Sequence, residues 1–175
     1  LNITEGEQYK VSSVQVTGDT VLPKEQVEKM VLVQKDQIFS RRLLELSSDS
    51  IVASLGNIGY AFAQVNPIPD VNREDNTVGI NMQVVPGPRV NVRRVVFKGN
   101  SRTSDEVLRR EMRQFEGSWY SQAAIDRSKV RLSRLGYFEE VEVENEPVAG
   151  SDDEVDVVYT VKETTSGSIS AGVGY

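Results

Sequence analysis

The amino-acid sequence predicts an α+β fold made of two tandem β-α-α-β-β domains, each a three-stranded sheet covered by two helices. Two observations support this prediction. The chain contains the same pattern twice, and in each copy the spacing of apolar residues changes from the helical period to the strand period at a Gly-Tyr pair. A small sheet with one apolar face under two amphipathic helices forms a two-layer domain.

The two copies of the pattern align at two different separations along the chain. The stretch VQVTGD at 14–19 matches VVFKGN at 95–100. The Gly-Tyr pair at 59–60 matches the pair at 136–137, and the separation between these pairs is shorter by four positions. The four extra residues of the first copy therefore lie between its Gly-Asp turn and its Gly-Tyr pair, where we expect longer helices or loops.

The repeat also predicts where the domains begin and end. Residues 1–6 match the end of a copy and are expected to be the last strand of a preceding unit, so that the chain is a fragment of a longer array. The two complete domains are predicted at 7–87 and 88–163. Residues 164–175 alternate apolar with small or polar side chains, as at the start of a first membrane β-barrel strand, although a Gly/Ser linker fits the same composition. In the isolated fragment we expect this tail to be disordered or paired with a crystal neighbour.

The helices of the second domain are predicted from their ends. Thr103 and Glu106 have the spacing of a capping box at the start of the first helix, and Gly117 is expected to end it. Ser121 is the predicted N-cap of the second helix, and Gly136 is its predicted stop. Apolar residues at helical spacing are expected on the core face of these helices: Val107, Leu108, Met112, Phe115, Ile125, Leu132 and Leu135.

Alternating apolar residues predict three strands in each domain. In the second domain these strands lie at 90–97, 137–143 and 155–161. In the first domain the matching strands lie at 14–16, 63–71 and 78–85. The two helices of the first domain are predicted from apolar residues on one face of each: Val27, Met30 and Val31, then Leu44, Ile51 and Leu55.

The composition excludes most catalytic and metal sites. The chain has no His and no Cys, so it lacks the commonest general base and the commonest metal ligands. Glu139 and Glu140 are neighbours on a predicted strand and point to opposite faces, so they cannot share a proton. The net charge of −6 disfavours nucleic acid and anionic lipid as main partners. We therefore expect no enzymatic activity, no metal and no cofactor.

Three charged residues are predicted to form a docking ridge on the first helix of the second domain. Arg109, Arg113 and Glu116 follow one another at i, i+4 and i+7, beside the apolar face. Because Arg is a frequent anchor in protein interfaces, this ridge is expected to bind a partner protein. The simpler interpretation is that these charges form exposed ion pairs that maintain solubility.

The join between the domains carries the predicted hinge. Pro86 and Pro88 fix the backbone on either side of Gly87, which is the one permissive residue between them. We expect a short, stiff join with limited hinging at Gly87.

Three stretches resemble polypeptide-transport-associated (POTRA) domains: VVFKGN at 95–100, LRREMRQFEG at 108–117 and LSRLGYFEEVEV at 132–143. The resemblance covers nearly the whole chain and is to the fourth and fifth of five such domains in outer-membrane β-barrel assembly factors. It implies a periplasmic scaffold, part of a Gram-negative outer-membrane protein, which binds accessory lipoproteins and nascent outer-membrane proteins and guides them to the membrane barrel. The alternative is a POTRA spacer or docking module of a related transporter, of the TamA-like or two-partner-secretion kind.

The resemblance also implies two binding sites. The accessory lipoprotein BamD is the partner implied for the docking ridge. An extended substrate strand is implied at a sheet edge, where it adds through backbone hydrogen bonds. The middle strand of each domain is expected at that edge, and Pro67 with Pro69 removes N–H groups there in the first domain. Addition is therefore expected in the second domain, at Glu140, Val141, Glu142, Val143 and Glu144.

Overall fold

The computed structural model describes residues 8–165, which form two compact units. The first unit contains the chain up to Leu55 together with Phe62–Gly87, and the second contains Gly56–Ala61 together with the chain from Pro88 onward. The strand predicted at 1–6 and nearly all of the barrel strand predicted at 164–175 lie outside the described residues.

Both units have the predicted β-α-α-β-β order, so the predicted α+β fold is confirmed. The first unit is formed by β1 (Lys10–Gly18), α1 (Lys24–Met30), α2 (Arg41–Gly56), β2 (Gln64–Asn72) and β3 (Thr77–Val85). The second is formed by β4 (Asn91–Lys98), α3 (Asp105–Arg109), α4 (Gln122–Arg134), β5 (Phe138–Pro147) and β6 (Glu154–Glu163). No helix among the described residues is long and apolar enough to cross a membrane.

The third strand of each unit lies at the centre of its sheet. The strand orders are β1-β3-β2 and β4-β6-β5. The central strand pairs in parallel with the first strand and antiparallel with the middle strand of its unit. A register shift follows Val11 in β1 and Val92 in β4, so the two sheets share a bulge at equivalent positions. The first and middle strands of each unit are therefore the edge strands.

The core of each unit lies between the sheet and the helices. In the second unit the side chains of Leu108, Leu132, Val157 and Tyr159 are completely buried. In the first unit, Val27, Ile51, Leu55 and Met82 are completely buried. Removing one such aliphatic side chain from water contributes about 1.5–3 kcal/mol, so these positions hold the helices against the sheet.

The four extra residues of the first copy lie between Ser47 and Gly59, and three of them lengthen α2 at its C-terminal end. This helix has 16 residues, whereas α4 has 13. Ser47 and Ser128, in the middle of the two helices, still align at the separation of the first strands, whereas the Gly-Tyr pairs align at the shorter one. The first unit thus has a longer second helix, which agrees with the expectation of longer helices or loops in this region.

A buried serine in each unit joins the second helix to the loop that precedes it. Ser47 and Ser128 are 0% exposed, and each hydroxyl donates to the carbonyl four residues earlier in its helix. The same hydroxyls accept the backbone N–H of Leu32, at 2.7 Å, and of Arg113, at 2.8 Å. Each serine thereby satisfies an N–H group that burial would otherwise leave without a partner. Neither serine is predicted by the apolar periodicity of its helix.

The first helix of the second unit is shorter than predicted. α3 ends at Arg109, and the chain that follows is not helical, so the prediction that Gly117 ends this helix is wrong. Gly117 instead lies in a turn with φ of +81°, and its N–H donates to the carbonyl of Val92 at 2.7 Å. The backbone between these points is held by β4 and by Ser128, and these distant partners replace the hydrogen bonds of a longer helix.

The start of α3 also differs from the prediction. Its N-cap is Ser104, which makes no side-chain capping bond, so the capping box at Thr103 and Glu106 is wrong. The Thr103 N–H donates instead to the carboxylate of Glu163, at the end of β6, at 2.9 Å. An acceptor from a neighbouring strand thus takes the place of the local cap.

The helix-to-strand junction of the second unit agrees with the sequence. Ser121 is the N-cap of α4 and accepts the Ala124 N–H at 3.3 Å. Gly136 follows the helix with φ of +79°, a left-handed conformation that favours glycine. Phe138 then enters the core, whereas Tyr137 is 37% exposed and packs edge-on against the Phe138 ring.

Tyr159 carries a buried hydroxyl that has no hydrogen-bond partner among the described residues. The nearby Ser128 hydroxyl donates to Ala124 instead. Burial raises the pKa of Tyr159 to about 12, although proximity to Ser128 opposes the shift. Met82 occupies the matching position of the first unit and is also completely buried, so the hydroxyl is not needed for packing.

We predict that Tyr159→Phe leaves the free energy of unfolding nearly unchanged at pH 7, because both side chains are then uncharged. Between pH 10 and pH 12 the unfolded wild type ionises at its ordinary pKa of about 10 and the folded form does not, so the wild type loses stability that the variant keeps. The difference should reach about 2 kcal/mol near pH 12. Urea unfolding as a function of pH measures it, and identical alkaline profiles would contradict the prediction.

Candidate partner-binding surfaces

Two residues of the predicted docking ridge close part of the outer edge of β4. The Val95 N–H donates to the Glu116 carboxylate at 3.0 Å, and the Val95 carbonyl accepts from the Arg109 guanidinium at 3.0 Å. The two side chains lie 3.6 Å apart, and each is 45% exposed. The Arg109 guanidinium also lies 5.2 Å from the centre of the Phe97 ring. Two charged side chains thus supply the donor and the acceptor that a neighbouring strand would supply.

Arg113 does not continue the ridge as a helical residue. It follows the end of α3, and its guanidinium donates to the carbonyls of Arg110, at 3.4 Å, and Met112, at 2.9 Å. Arg113 is half-buried. Arg113 therefore caps the backbone after α3, whereas Arg109 and Glu116 present partly exposed charges.

Two aromatic residues that follow α3 in the chain are exposed. Phe115, which was expected in the core, is 61% exposed because the chain around it is not helical. Trp119 is 46% exposed, and the Arg89 guanidinium lies 4.1 Å from its ring centre. Aromatic and Arg side chains are the residues most enriched at the centres of protein interfaces. Phe115 and Trp119 lie close together in the sequence before α4. This pair could have indicated a binding surface, but the helical spacing of apolar residues assigned Phe115 to the core.

The strand register shows which backbone groups of β5 face the open edge. Val95 directs its N–H and C=O groups away from β6, and these directions alternate along each strand. The groups of Tyr159 therefore point toward β4, and those of Thr160 point toward β5. Glu142 pairs with Thr160 through hydrogen bonds, which leaves the N–H and C=O of Val143 on the open side.

The predicted substrate-strand residues all lie in the edge strand β5. Val141 is buried and Val143 is half-buried, whereas Glu140, Glu142 and Glu144 are exposed. The valine side chains face the core while their backbone groups face outward. An added strand would thus meet backbone donors and acceptors on a strand whose exposed face is acidic.

The matching edge in the first unit is blocked by proline. Pro67 and Pro69 lie in β2 opposite Met82 and Ile80 of β3. The same alternation places their nitrogens on the open side of the strand, where they have no hydrogen to donate. The prolines thus interrupt this edge without weakening its ladder to β3.

The predicted hinge residue Gly87 has φ of +69°, which is a left-handed conformation that favours glycine. A Cβ at this position would lie 3.8 Å from its nearest neighbour, the carbonyl of Phe62, so space does not require glycine here. The backbone conformation explains this residue between Pro86 and Pro88, and its role as a hinge stays a prediction.

A family model described as "POTRA: Surface antigen variable number repeat" matches residues 9–87 and again residues 90–164. The chain belongs to the POTRA family. Its two POTRA domains correspond to the two units, and domains of this type in BamA proteins are the periplasmic part of a Gram-negative outer-membrane protein.

The POTRA pair is similar to parts of several longer proteins. It is 32% identical to outer membrane protein assembly factor BamA of Neisseria meningitidis serogroup B, over 100% of this chain and 22% of that protein. It is 31% identical to BamA of Nitratidesulfovibrio vulgaris, over 99% of this chain and 22% of that protein. The chain thus spans about a fifth of the length of these relatives.

Two crystal structures are similar to this chain over most of its length. The POTRA3-5 structure of Haemophilus influenzae BamA matches with a TM-score of 0.86 and 39% identity, over 91% of this chain and 63% of that chain. The structure of Haemophilus ducreyi BamA lacking POTRA domains 1-3 matches with a TM-score of 0.75 and 38% identity, over 89% of this chain and 30% of that chain. The two units therefore have the fold of BamA POTRA domains.

We predict that Glu116→Ala increases amide hydrogen exchange at Val95 about tenfold, because the N–H loses its acceptor. Glu116→Gln keeps an acceptor oxygen and should preserve most of the protection. Glu106→Ala is the control, since it removes only the exposed pair with Arg110. Exchange at Val95 that is equal in the wild type and in Glu116→Ala would show that the carboxylate does not close this edge.

Proposed function

We propose that the two POTRA domains are part of the periplasmic scaffold of an outer-membrane β-barrel assembly machine. In this role they bind accessory lipoproteins and nascent outer-membrane proteins and guide the latter to the membrane barrel. The observation that carries the proposal is the open edge of β5 in a chain of the BamA POTRA type. The proposal includes no enzymatic step, because every element of it is a contact between polypeptides.

The substrate site of this function is the outer edge of β5. Val141, Val143 and Asn145 direct backbone N–H and C=O groups to the open side, so an extended segment can pair with them. The acidic face formed by Glu140, Glu142 and Glu144 discourages pairing between two copies of this strand. It accepts a neutral or basic segment, such as an alternating strand of an unfolded barrel protein.

The lipoprotein site is the surface around Arg109 and Glu116, with BamD as the proposed partner. Its charges are only half-exposed and already oriented by Val95, so little side-chain freedom is lost when a partner binds. Phe115 and Trp119 add exposed aromatic area beside the charges. Arg113 supports this surface by capping the backbone after α3.

We predict that Glu116→Gln weakens binding of purified BamD about fivefold and reduces its salt dependence, because the variant removes the charge that a basic partner group would meet. This variant retains an acceptor for Val95, so the melting temperature should stay within a few degrees of the wild type. Glu116→Lys and Arg113→Glu should weaken binding further, with some loss of stability, since each group bonds to the backbone. Glu106→Gln is the matched control, and unchanged affinity of Glu116→Gln would refute this docking site.

For the substrate edge, we predict that a synthetic peptide of alternating apolar and polar residues shifts the amide resonances of residues 141–145. Val143→Pro should abolish these shifts, because it removes an outward N–H and leaves the ladder to β6 intact. The control is Glu142→Pro, which removes a ladder hydrogen bond and should destabilise the domain instead. Shifts confined to residues 64–72 would show that the prolines do not block their edge and that β5 is not the substrate site.

A further inference from the structure

The outer edge of β1 in the first unit lacks, among the described residues, the closure that Arg109 and Glu116 give to β4. Val14 is the counterpart of Val95, since each opens its copy of the matched stretch and both follow the shared bulge by the same number of residues. Its N–H and C=O groups therefore face the outer edge. Val14 is half-buried, whereas Val95 is only 2% exposed.

The residues at the two closing positions have exchanged their charges between the units. The counterpart of Arg109 in the same alignment is Glu28, which has no N–H to donate to the Val14 carbonyl. The counterpart of Glu116 is Lys35, which has no lone pair to accept the Val14 N–H. The sequence of the first unit thus removes both hydrogen bonds that close this edge in the second.

The beginnings of β1 and β4 are covered in the same way, so the difference starts at Val14. The Val11 N–H donates to the Gln37 carbonyl at 2.8 Å, as the Val92 N–H donates to the Ser118 carbonyl at 2.9 Å. Beyond this shared contact, β1 continues through Val14 and Val16 to Gly18. These alternate residues present their backbone groups to the outside.

A cavity of about 330 Å³ lies beside this edge and indicates the chemistry of its ligand. Four valines line it, Val14, Val16, Val31 and Val33, together with the polar side chains of Gln15 and Gln34, and Glu28 is the charged residue of its lining. An extended strand that paired with Val14 would place alternate side chains over this cavity. A basic side chain with an apolar stem fits both the valines and the carboxylate of Glu28.

We propose that the outer edge of β1 is a second strand-binding site, which takes an extended segment of an unfolded polypeptide carrying a basic side chain opposite Glu28. The proposal rests on the proposed function, because it extends substrate pairing to the first unit. Each unit then has one closed edge and one open edge. In the first unit, proline closes the edge of β2, and the edge of β1 is open. In the second unit, Arg109 and Glu116 close the edge of β4, and the edge of β5 is open.

The test exchanges the closing pair between the units of the two-domain chain. Glu28→Arg with Lys35→Glu places the second unit's pair on the first, and the reverse exchange is Arg109→Glu with Glu116→Lys. The probe is a synthetic peptide of alternating apolar and polar residues with one central Arg, titrated while amide shifts and hydrogen exchange are recorded. The same peptide with Glu in place of Arg is the control for Glu28.

In the wild type we expect the Val14 amide to exchange about tenfold faster than that of Val95, and the Arg peptide to shift the amides of residues 14–16. The first exchange of residues should slow Val14 about tenfold and remove peptide binding at β1 while keeping it at β5. The reverse exchange should expose Val95 and create peptide binding at β4. The Glu peptide should bind β1 more weakly than the Arg peptide.

The results of this test distinguish failure of the second site from failure of the proposed function. Equal protection of Val14 and Val95 in the wild type, or peptide shifts at β5 without shifts at β1, would overturn the second site and leave the proposed function intact. Shifts at neither edge would overturn both. Loss of β1 binding in the first variant with β5 binding retained would support the second site, because only the closing pair has changed there.

Discussion

Each unit depends on the central position of its third strand. β3 and β6 pair in parallel with the first strand and antiparallel with the middle strand, so every backbone ladder of a unit includes its last strand. This constraint places the middle strand at an edge, although it follows the helices in the chain. It also fixes which N–H groups of the edge strands face outward. The backbone groups of the central strand point alternately to one neighbour and to the other, so the groups of each neighbour alternate between the ladder and the open side. A three-stranded sheet has two edges, and in each unit these are the first and the middle strands.

The buried serines determine what lies beside those edges. Ser128 accepts the N–H of Arg113, and this bond holds the non-helical chain after α3 where the sequence favours more helix. This non-helical segment brings Glu116 to Val95 and places Phe115 at the surface. Ser47 makes the same contact with Leu32 in the first unit, so both units share this hydrogen bond between the second helix and the preceding loop. A buried hydroxyl that binds one backbone amide therefore positions a charged surface several residues away.

The duplicated unit separates what the fold requires from what each copy adds. Both copies keep the bulge, the buried serine and a glycine at the end of the first strand, and both Gly18 and Gly99 have positive φ. The copies differ at the edges, where one uses proline and the other uses an ion pair. Exposed ion pairs contribute little stability, about 0–1 kcal/mol, so a pair of this kind can form or be lost without affecting the fold. This explains how similar units can present different surfaces to other polypeptides.

The sequence by itself determined the element order, the two-unit organisation, the Ser121 cap and the Gly136 stop. These features depend on contacts within a few residues and on the period of apolar side chains, which a single sequence records. It also placed β2 and β5 correctly as edge strands. The positions of Pro67 and Pro69 indicated that N–H groups are missing at the edge of β2. It failed at α3, at the Thr103 cap and at Phe115. There the deciding hydrogen bonds come from Ser128, Glu163 and β4, which are distant in the chain and outweigh local helix propensity. Only the tertiary structure could decide the closure of Val95 by Arg109 and Glu116. These two side chains bind the backbone of β4, and the helical spacing of residues 109 and 116 gives no indication of that contact.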